Sequence, residues 1–209
     1  MKKTDNQVID FLREKWNGLQ FTFFKWNFEW HKKAKERTYM KNFKRLEQEN
    51  QSKHEKKIIK VIKNECIRRG LNLNTQIAYV LATVEWETAG TFRPVKEAYW
   101  LSEDWRKKNL RYYPYYGRGY VQITWKRNYK KYSKKLNMDL VKHPDKVMEP
   151  KIALYILVDG FKLGTFTGKK LEDYVNHDKT DFINARRCIN GIDKAHKIAK
   201  LAVKYLKEM

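Results

Sequence analysis

The sequence predicts a mainly α-helical protein, because apolar residues recur at helical spacing in several segments while alternating strand patterns are few. The chain has 209 residues, of which 42% are hydrophobic, so it is long enough to bury a core of ordinary size. That hydrophobic content excludes a mostly disordered chain, although 33% of the residues are charged. We expect residues 51–209 to form the principal domain and residues 1–50 to form a separate N-terminal region.

The N-terminal region is rich in tryptophan, phenylalanine and lysine. Its apolar positions have helical spacing from Val8 to Trp16, and Gly18 can end that helix. One interpretation is a helical hairpin packed on the main domain, and the alternative is a membrane-active or wall-binding appendage. Residues 47–57 are polar throughout, which indicates an exposed connection or the start of a helix.

Two helices are expected at the start of the principal domain. The apolar positions between Ile58 and Cys66 predict a helix that ends at Gly70, because glycine readily adopts the left-handed conformation of a C-cap. Asn74 is expected to cap the second helix, whose apolar stripe at positions 77, 81 and 84 faces the core. This helix is expected to end at Gly90.

The rest of the domain is predicted to consist of a lobe followed by further helices. Residues 92–120 have the character of a long lobe of loop and short helix. The helices expected after this lobe are Tyr129–Leu136, Lys151–Leu163, Asp181–Cys188 and Asp193–Leu206.

The net charge of +22 indicates attraction to a polyanion, such as nucleic acid, an anionic membrane or an acidic cell wall. Residues 1–56 contain 14 Lys and Arg and 8 Asp and Glu, a net charge of +6, so residues 57–209 carry the remaining +16. Most of the basicity therefore belongs to the principal domain.

The cysteines and the N-terminus bear on the compartment. Cys66 lies in an apolar run and is predicted to be a buried thiol, while Cys188 lies in a basic tract. The sequence leaves a disulfide between them open. Polar residues follow Met1, and no run approaches the ~18 apolar residues of a membrane span, so we expect synthesis in the cytoplasm without a signal peptide.

Two carboxylates near the end of the second helix are candidates for acid catalysis. Glu85 and Glu87 lie about 80° on either side of the apolar stripe, so periodicity does not choose between them. Glu87 lies three residues before Gly90, at the negative end of the helix dipole. Ionisation is disfavoured there, and a carboxyl that stays protonated near neutral pH is what a general acid for glycoside cleavage requires.

A set of motifs between Val84 and Tyr129 resembles the family 19 glycoside hydrolases. A Glu-Thr-x-Gly-x-Phe helix end begins at Glu87, and Gly-Arg-Gly-x-x-Gln-x-Thr-Trp begins at Gly117 and is followed by Asn-Tyr. The resemblance covers roughly residues 57–209. The family contains chitinases and many phage and bacterial muramidases, and it implies a lysozyme-like, two-lobed helical fold with a central substrate cleft.

The resemblance also implies which carboxylates act. Its general acid corresponds to Glu87, although Trp86 stands here where the family usually has histidine. Its second carboxylate activates water, and the spacing of phage-type members favours Glu97. The longer spacing of plant-type members keeps Glu103 and Asp104 as alternatives.

The remaining candidate residues follow from the same resemblance. Thr124 would hydrogen-bond the attacking water, and the segment from Gly117 to Gly119 would lie along the floor of the cleft. Without the resemblance, Asn128 and Asn190 are equally explained as a cap or a turn. Aromatic rings offer flat faces on which sugars stack, although several must simply be core residues. The expected substrate-binding residues are Gln122, Asn128, Tyr116, Arg118, Trp125 and Asn190.

These observations favour a monomeric glycosidase that cuts β-1,4 bonds of peptidoglycan by an inverting two-carboxylate mechanism. Chitin is the alternative substrate, and the charge favours peptidoglycan because bacterial walls carry carboxylates and phosphates whereas chitin is nearly neutral. A basic protein that binds nucleic acid or cell wall without catalysis is a further alternative, but no recognised nucleic-acid motif is present. The histidines lack metal-ligand spacing, so we expect no metal and no cofactor. The absence of a predicted signal peptide suits release through a holin or delivery by contact.

Overall fold

A computed structural model of the chain describes residues 37, 40–42, 44–45 and 47–209. The chain divides into two compact units, Met1–Ser52 and Lys53–Met209. Among the described residues, no helix combines the length and the apolar character needed to cross a membrane.

The described part of the first unit is helical. An ion pair joins Arg45 Nε to Glu49 Oε1 at 3.3 Å, one turn further along the helix. The helix expected from Val8 to Trp16 lies outside the described residues, so the two interpretations of the N-terminal region stay predictions.

The second unit is mainly helical, as the sequence predicts. Its one sheet among the described residues is a two-stranded antiparallel ribbon in which Val95 pairs with Gly119 and Lys96 pairs with Arg118. Three short 3₁₀ helices complete it, at Pro144–Met148, Leu171–Asp173 and Asn184–Cys188. The helices and strands in chain order are α1 (helical without a break over residues 47–68, of which 53–68 belong to this unit), α2 (Asn74–Glu87), β1 (Val95–Lys96), α3 (Glu103–Asn109), β2 (Arg118–Gly119), α4 (Lys126–Leu136), α5 (Pro150–Leu163) and α6 (Ala195–Lys207).

Helix α2 lies in the centre of the core. Every residue from Gln76 to Val84 is buried, so the helix is covered on all sides and not only along the predicted stripe. Helix α6 packs against it. The prediction that Asn74 caps α2 is wrong, because Asn74 is already helical and the extended Leu73 precedes it.

The predicted ends of the first two helices are confirmed. Gly70 and Gly90 both have positive φ, at 80° and 75°, and each lies in the turn that follows its helix. A side chain at either position would strain this backbone, which is why glycine serves there.

The later elements match the sequence prediction with one exception. The region from Asp181 to Cys188 forms only the short 3₁₀ helix Asn184–Cys188. Before it, the carboxylate of Asp181 accepts a hydrogen bond of 2.9 Å from the backbone N–H of Asn184. Both Cys66 and Cys188 are free and buried, so they form no disulfide. Burial raises the pKa of each thiol to about 12.

Candidate active site

The structure separates the two carboxylates at the end of α2. Glu85 Oε2 accepts a hydrogen bond of 2.6 Å from the hydroxyl of Tyr205 on α6, a contact that joins two packed helices. Glu87 points elsewhere, toward a cation from the Asn184–Cys188 segment. Glu85 therefore has a structural role, and Glu87 is the candidate acid.

Arg186 is the partner of Glu87. Its Nη1 lies 2.6 Å from Glu87 Oε1, and the two side chains are only 5% and 16% exposed. Its Nε also donates to the backbone oxygen of Asp193 at 3.2 Å. Arg186 therefore fixes the position of the Glu87 carboxyl group and joins the end of α2 to the Asn184–Cys188 segment.

Glu97 follows β1 and is held through both of its carboxylate oxygens. The hydroxyl of Tyr112 donates to Oε1 at 2.6 Å, and the backbone N–H of Gly117 donates to Oε2 at 2.9 Å. The backbone N–H of Glu97 in turn donates to the carbonyl oxygen of Gly117 at 2.7 Å. Burial together with the bond to Glu97 raises the pKa of Tyr112 to about 12, so the phenol remains a donor at neutral pH.

The two alternative carboxylates lie at the start of α3. Glu103 accepts a hydrogen bond of 3.0 Å from Tyr116 and pairs with Arg106 at 3.1 Å, with half of its side chain exposed. It borders a separate cavity of about 490 Å³, and Asp104 is exposed. Glu103 also receives a donor on each oxygen, since Tyr116 reaches Oε1 at 3.2 Å and Arg106 reaches Oε2 at 3.1 Å. The exposure of Glu103 and its place beside the separate cavity are what favour Glu97 as the second carboxylate.

A groove of about 480 Å³ brings together five of the nine residues predicted for the site. The five are Gln122, Thr124, Trp125, Asn128 and Asn190. The other lining residues are Val121, Ile123, Arg127, Phe166, Thr167, Lys169, Arg187, Ile189 and Gly191.

Backbone strain shapes the floor of this groove. Gln122 and Trp125 have positive φ, at 52° and 70°, a conformation that costs about 1–3 kcal/mol for a residue other than glycine. Gln122 Nε2 donates to the carbonyls of Val95 and Gly119 at 2.8 and 3.1 Å, which leaves its Oε1 as the group for a ligand. Such strain is common at functional sites, since the surrounding structure must hold it in place.

Gly117 is the point where Glu97 meets the groove. A Cβ at position 117 would lie 2.7 Å from Gln122 Oε1 and 3.2 Å from Glu97 Oε2. The two side-chain oxygens thus converge on the bare Cα of this glycine. Glu97 does not line the groove itself but reaches its edge beside Gln122, a lining residue.

Glu87 is linked to the groove through the chain. It does not belong to the lining, but its partner Arg186 directly precedes Arg187, which does.

Asn128 and Thr124 both line the groove, and Asn128 Nδ2 donates to the carbonyl of Thr124 at 2.8 Å. Within the described residues, the hydroxyl of Thr124 makes no hydrogen bond.

The prediction that Tyr116 and Arg118 bind substrate is wrong. Tyr116 is fully buried and Arg118 is 2% exposed. Arg118 lies 3.6 Å from the centre of the Tyr116 ring, donates to Tyr129 Oη at 3.0 Å and pairs with Asp145 at 2.7 Å. These residues therefore form part of the support beneath the cleft floor and do not contact a ligand.

Trp125 is the aromatic face that the groove exposes. Its side chain is 40% exposed, the ring of Tyr112 lies 5.2 Å away, and the guanidinium of Arg111 lies 5.1 Å from its ring centre. Trp100, on the lobe beside Glu97, is 72% exposed. Both indoles can stack against an apolar sugar face.

Two residues of the site carry functions that the sequence did not reveal. Arg186 lies in a segment that the family resemblance includes, but no pattern in the sequence links it to Glu87, 99 positions away. Tyr112 is not among the site residues expected from the sequence, yet its hydroxyl holds Glu97. Among the described residues, no group of three or more His, Cys, Asp or Glu side chains is placed to hold a metal ion.

Three solved structures that resemble this chain are those of family 19 chitinases. Chitinase C from Streptomyces griseus HUT6037 matches with a TM-score of 0.50 and 19% identity over 70% of this chain and 68% of that chain. A mutant of chitinase C gives 0.45 and 18% over 64% and 73%, and a bacterial family 19 chitinase gives 0.38 and 21% over 62% and 74%. No protein-family model and no curated protein matches the sequence.

The likeness to chitinase C shows the fold. The chain has the mainly helical, lysozyme-like fold of the family 19 chitinases, as the motif resemblance implies. At 19% identity the likeness extends no further than the fold, so an activity must be argued from the site.

Proposed function

We propose that this protein is a glycoside hydrolase that cleaves β-1,4 bonds beside N-acetylated sugars, with peptidoglycan as its polymer. The observation that carries the proposal is the placement of Glu97, fixed through both oxygens at the edge of a groove lined by amides, a hydroxyl and an indole. Glu87, which ends the central helix, supplies the second carboxyl group that such chemistry needs. The fold supports this, since the similar structures are those of chitinases.

Glu87 is proposed as the general acid that protonates the leaving glycosidic oxygen. Arg186 Nη1 lies 2.6 Å from Glu87 Oε1, so this contact positions the carboxyl group in the free protein.

Glu97 is proposed as the general base. The donors on its two oxygens stabilise the carboxylate, which can accept a proton from water. Thr124 has a hydroxyl that can orient this water, and Gln122 Oε1 and the Asn128 and Asn190 amides can hold N-acetyl and hydroxyl groups. Attack by water on the face opposite to the leaving group inverts the anomeric centre.

The charge favours peptidoglycan over chitin. Residues 57–209 carry +16, and peptidoglycan bears carboxylates whereas chitin is nearly neutral. Chitin is the second candidate, because the structures with the same fold are named chitinases. We propose that the protein is made in the cytoplasm and reaches the wall by holin-type release or by delivery.

Digestion of purified peptidoglycan and of chitin by the full chain tests the proposal. New reducing ends are labelled and identified by mass analysis, and NMR of the first products reports the anomer. We expect cleavage of peptidoglycan with initial release of the α-anomer, since inversion converts a β bond to that product. Cleavage of chitin alone would select the second candidate. Binding of wall or nucleic acid without any new reducing end would support the non-catalytic alternative.

A further inference from the structure

The groove carries three cations and no carboxylate among its lining residues. The cations are Arg127 in the first turn of α4, Lys169 after α5, and Arg187 in the 3₁₀ helix that also holds Arg186. All three side chains belong to exposed residues. Within the described part of the chain, none of the three forms an ion pair.

The cations lie on walls that hydrogen bonds hold together. The hydroxyl of Thr167 donates to the carbonyl oxygens of Arg187 and Cys188 at 2.7 and 3.2 Å, which joins the two segments of one wall. Lys131 Nζ on α4 donates to the carbonyl of Thr165 at 3.1 Å, which ties the other wall to the same segment. The positions of the three charges relative to the groove are therefore set by the fold.

One of the three is also oriented. Arg187 Nε donates to Asn184 Oδ1 at 3.1 Å, so one edge of the guanidinium is held by its own helix. Its terminal nitrogens remain able to form the parallel pair of hydrogen bonds that a carboxylate accepts.

We propose that Arg127, Lys169 and Arg187 form a subsite that binds carboxylates attached to the glycan in the groove. This inference rests on the function proposed above and deepens it, because the subsite would select an acidic polymer over neutral chitin. The carboxylate has two possible sources in peptidoglycan, the lactyl group of muramic acid and the stem peptide attached to it. A neutral chitin strand offers the cations no partner.

The test compares two triple variants of the full chain that lose the same charge. The subsite variant is Arg127→Gln, Lys169→Gln and Arg187→Gln. The control variant is Lys130→Gln, Lys134→Gln and Lys200→Gln, three exposed cations outside the groove lining. Each is made in a Glu87→Gln background so that no ligand is consumed, and melting temperatures confirm folding.

Calorimetry then measures Kd for three oligomers of equal length. They are a neutral chitooligosaccharide, a peptidoglycan oligomer with stem peptides, and one from which an amidase has removed the peptides to leave lactyl carboxylates. With each of three exposed pairs contributing about 0.2–1 kcal/mol, the subsite variant should weaken binding of an acidic oligomer relative to the neutral one by about 3- to 150-fold. The lactyl carboxyl is an amide in the peptide-bearing oligomer and a free carboxylate only after the peptide is removed. Loss of selectivity only for the peptide-free oligomer therefore assigns the lactyl carboxylate, and loss only for the peptide-bearing oligomer assigns the stem peptide. Loss for both shows that the subsite accepts a carboxylate from either source.

Three results would overturn the subsite. The first is that the subsite variant changes Kd equally for neutral and acidic oligomers, and the second is that the control variant changes Kd as much as the subsite variant does. The third is that a single-stranded oligonucleotide binds the unaltered groove more tightly than either acidic oligomer. Hydrolysis by the unaltered protein is scored separately. Cleavage without charge selectivity contradicts the subsite alone, whereas selective binding without cleavage contradicts the proposed function alone.

Discussion

Tyr112→Phe isolates one of the two contacts that position Glu97, the proposed base. The substitution removes a hydrogen bond of 2.6 Å to Oε1 but keeps the aromatic ring near Trp125 and the bond from Gly117 to Oε2. A hydrogen bond to a charged group is worth about 1.5–3 kcal/mol. If the positioning of Glu97 in the transition state uses this energy, kcat should fall about 10- to 150-fold, because 1.36 kcal/mol corresponds to a factor of ten.

Steady-state kinetics on soluble peptidoglycan fragments measures this effect. We expect kcat to fall while KM changes little, since the Tyr112 hydroxyl reaches the base and not the sugar. Tyr113→Phe is the matched control, because Tyr113 stacks on Tyr116 at 6.1 Å and borders the other cavity. An unchanged kcat in Tyr112→Phe, or an equal fall in the control, would refute the role assigned to this bond.

Three further predictions concern the groove and the core. Thr124→Val should lower kcat about tenfold, less than loss of either catalytic carboxylate, because Thr124 orients water but moves no proton; a loss as large as that of Glu97→Gln would contradict this role. Asp159 is buried, and burial acts to raise its pKa, but hydrogen bonds from Lys135 and Thr165 outweigh this and hold the pKa below its ordinary value. Asp159→Asn should therefore lower the free energy of unfolding by about 3–5 kcal/mol at neutral pH. This difference from the unaltered protein should shrink as the pH falls below about 4, and denaturant titrations over pH 2–7 check the sign. Gly160→Ala would place a Cβ 1.9 Å from the ring of Phe166, a residue that lines the groove. It should therefore lower the free energy of unfolding by about 1–3 kcal/mol in the same titration and raise KM, and unchanged stability and KM would contradict this close contact.

The helices could be predicted from the sequence because their signals are local. Apolar spacing and two glycines at helix ends fixed α1 and α2 closely, and few strand patterns indicated a mainly helical fold. The prediction is wrong for residues 181–188, where only a short 3₁₀ helix forms. The sequence also did not predict that α2 is buried on all sides, because the apolar stripe at positions 77, 81 and 84 indicates only one buried face.

The site was only partly predictable because its decisive contacts are distant in the chain. The family motifs led to Glu87, to Glu97 and to the five groove residues, but the periodicity of α2 alone left Glu85 and Glu87 equivalent. Their partners decide between them, and those partners lie 120 and 99 residues away. Burial of Tyr116 could not be foreseen either, because residue type alone does not distinguish a core tyrosine from one that stacks on sugar.

Hydrolysis of purified peptidoglycan by Glu87→Gln and Glu85→Gln tests the central claim most directly. Both substitutions remove a carboxylate near the end of α2 and keep an amide oxygen for the hydrogen-bond partner, Arg186 or Tyr205. The release of new reducing ends is followed by mass analysis, and melting temperatures show that both variants are folded. We expect Glu87→Gln to lose at least on the order of 10²–10⁴-fold in rate, because an amide cannot donate the proton, while Glu85→Gln keeps most of the activity. Unchanged turnover in Glu87→Gln, or an equal loss in Glu85→Gln, would contradict the assignment of Glu87 as the catalytic acid.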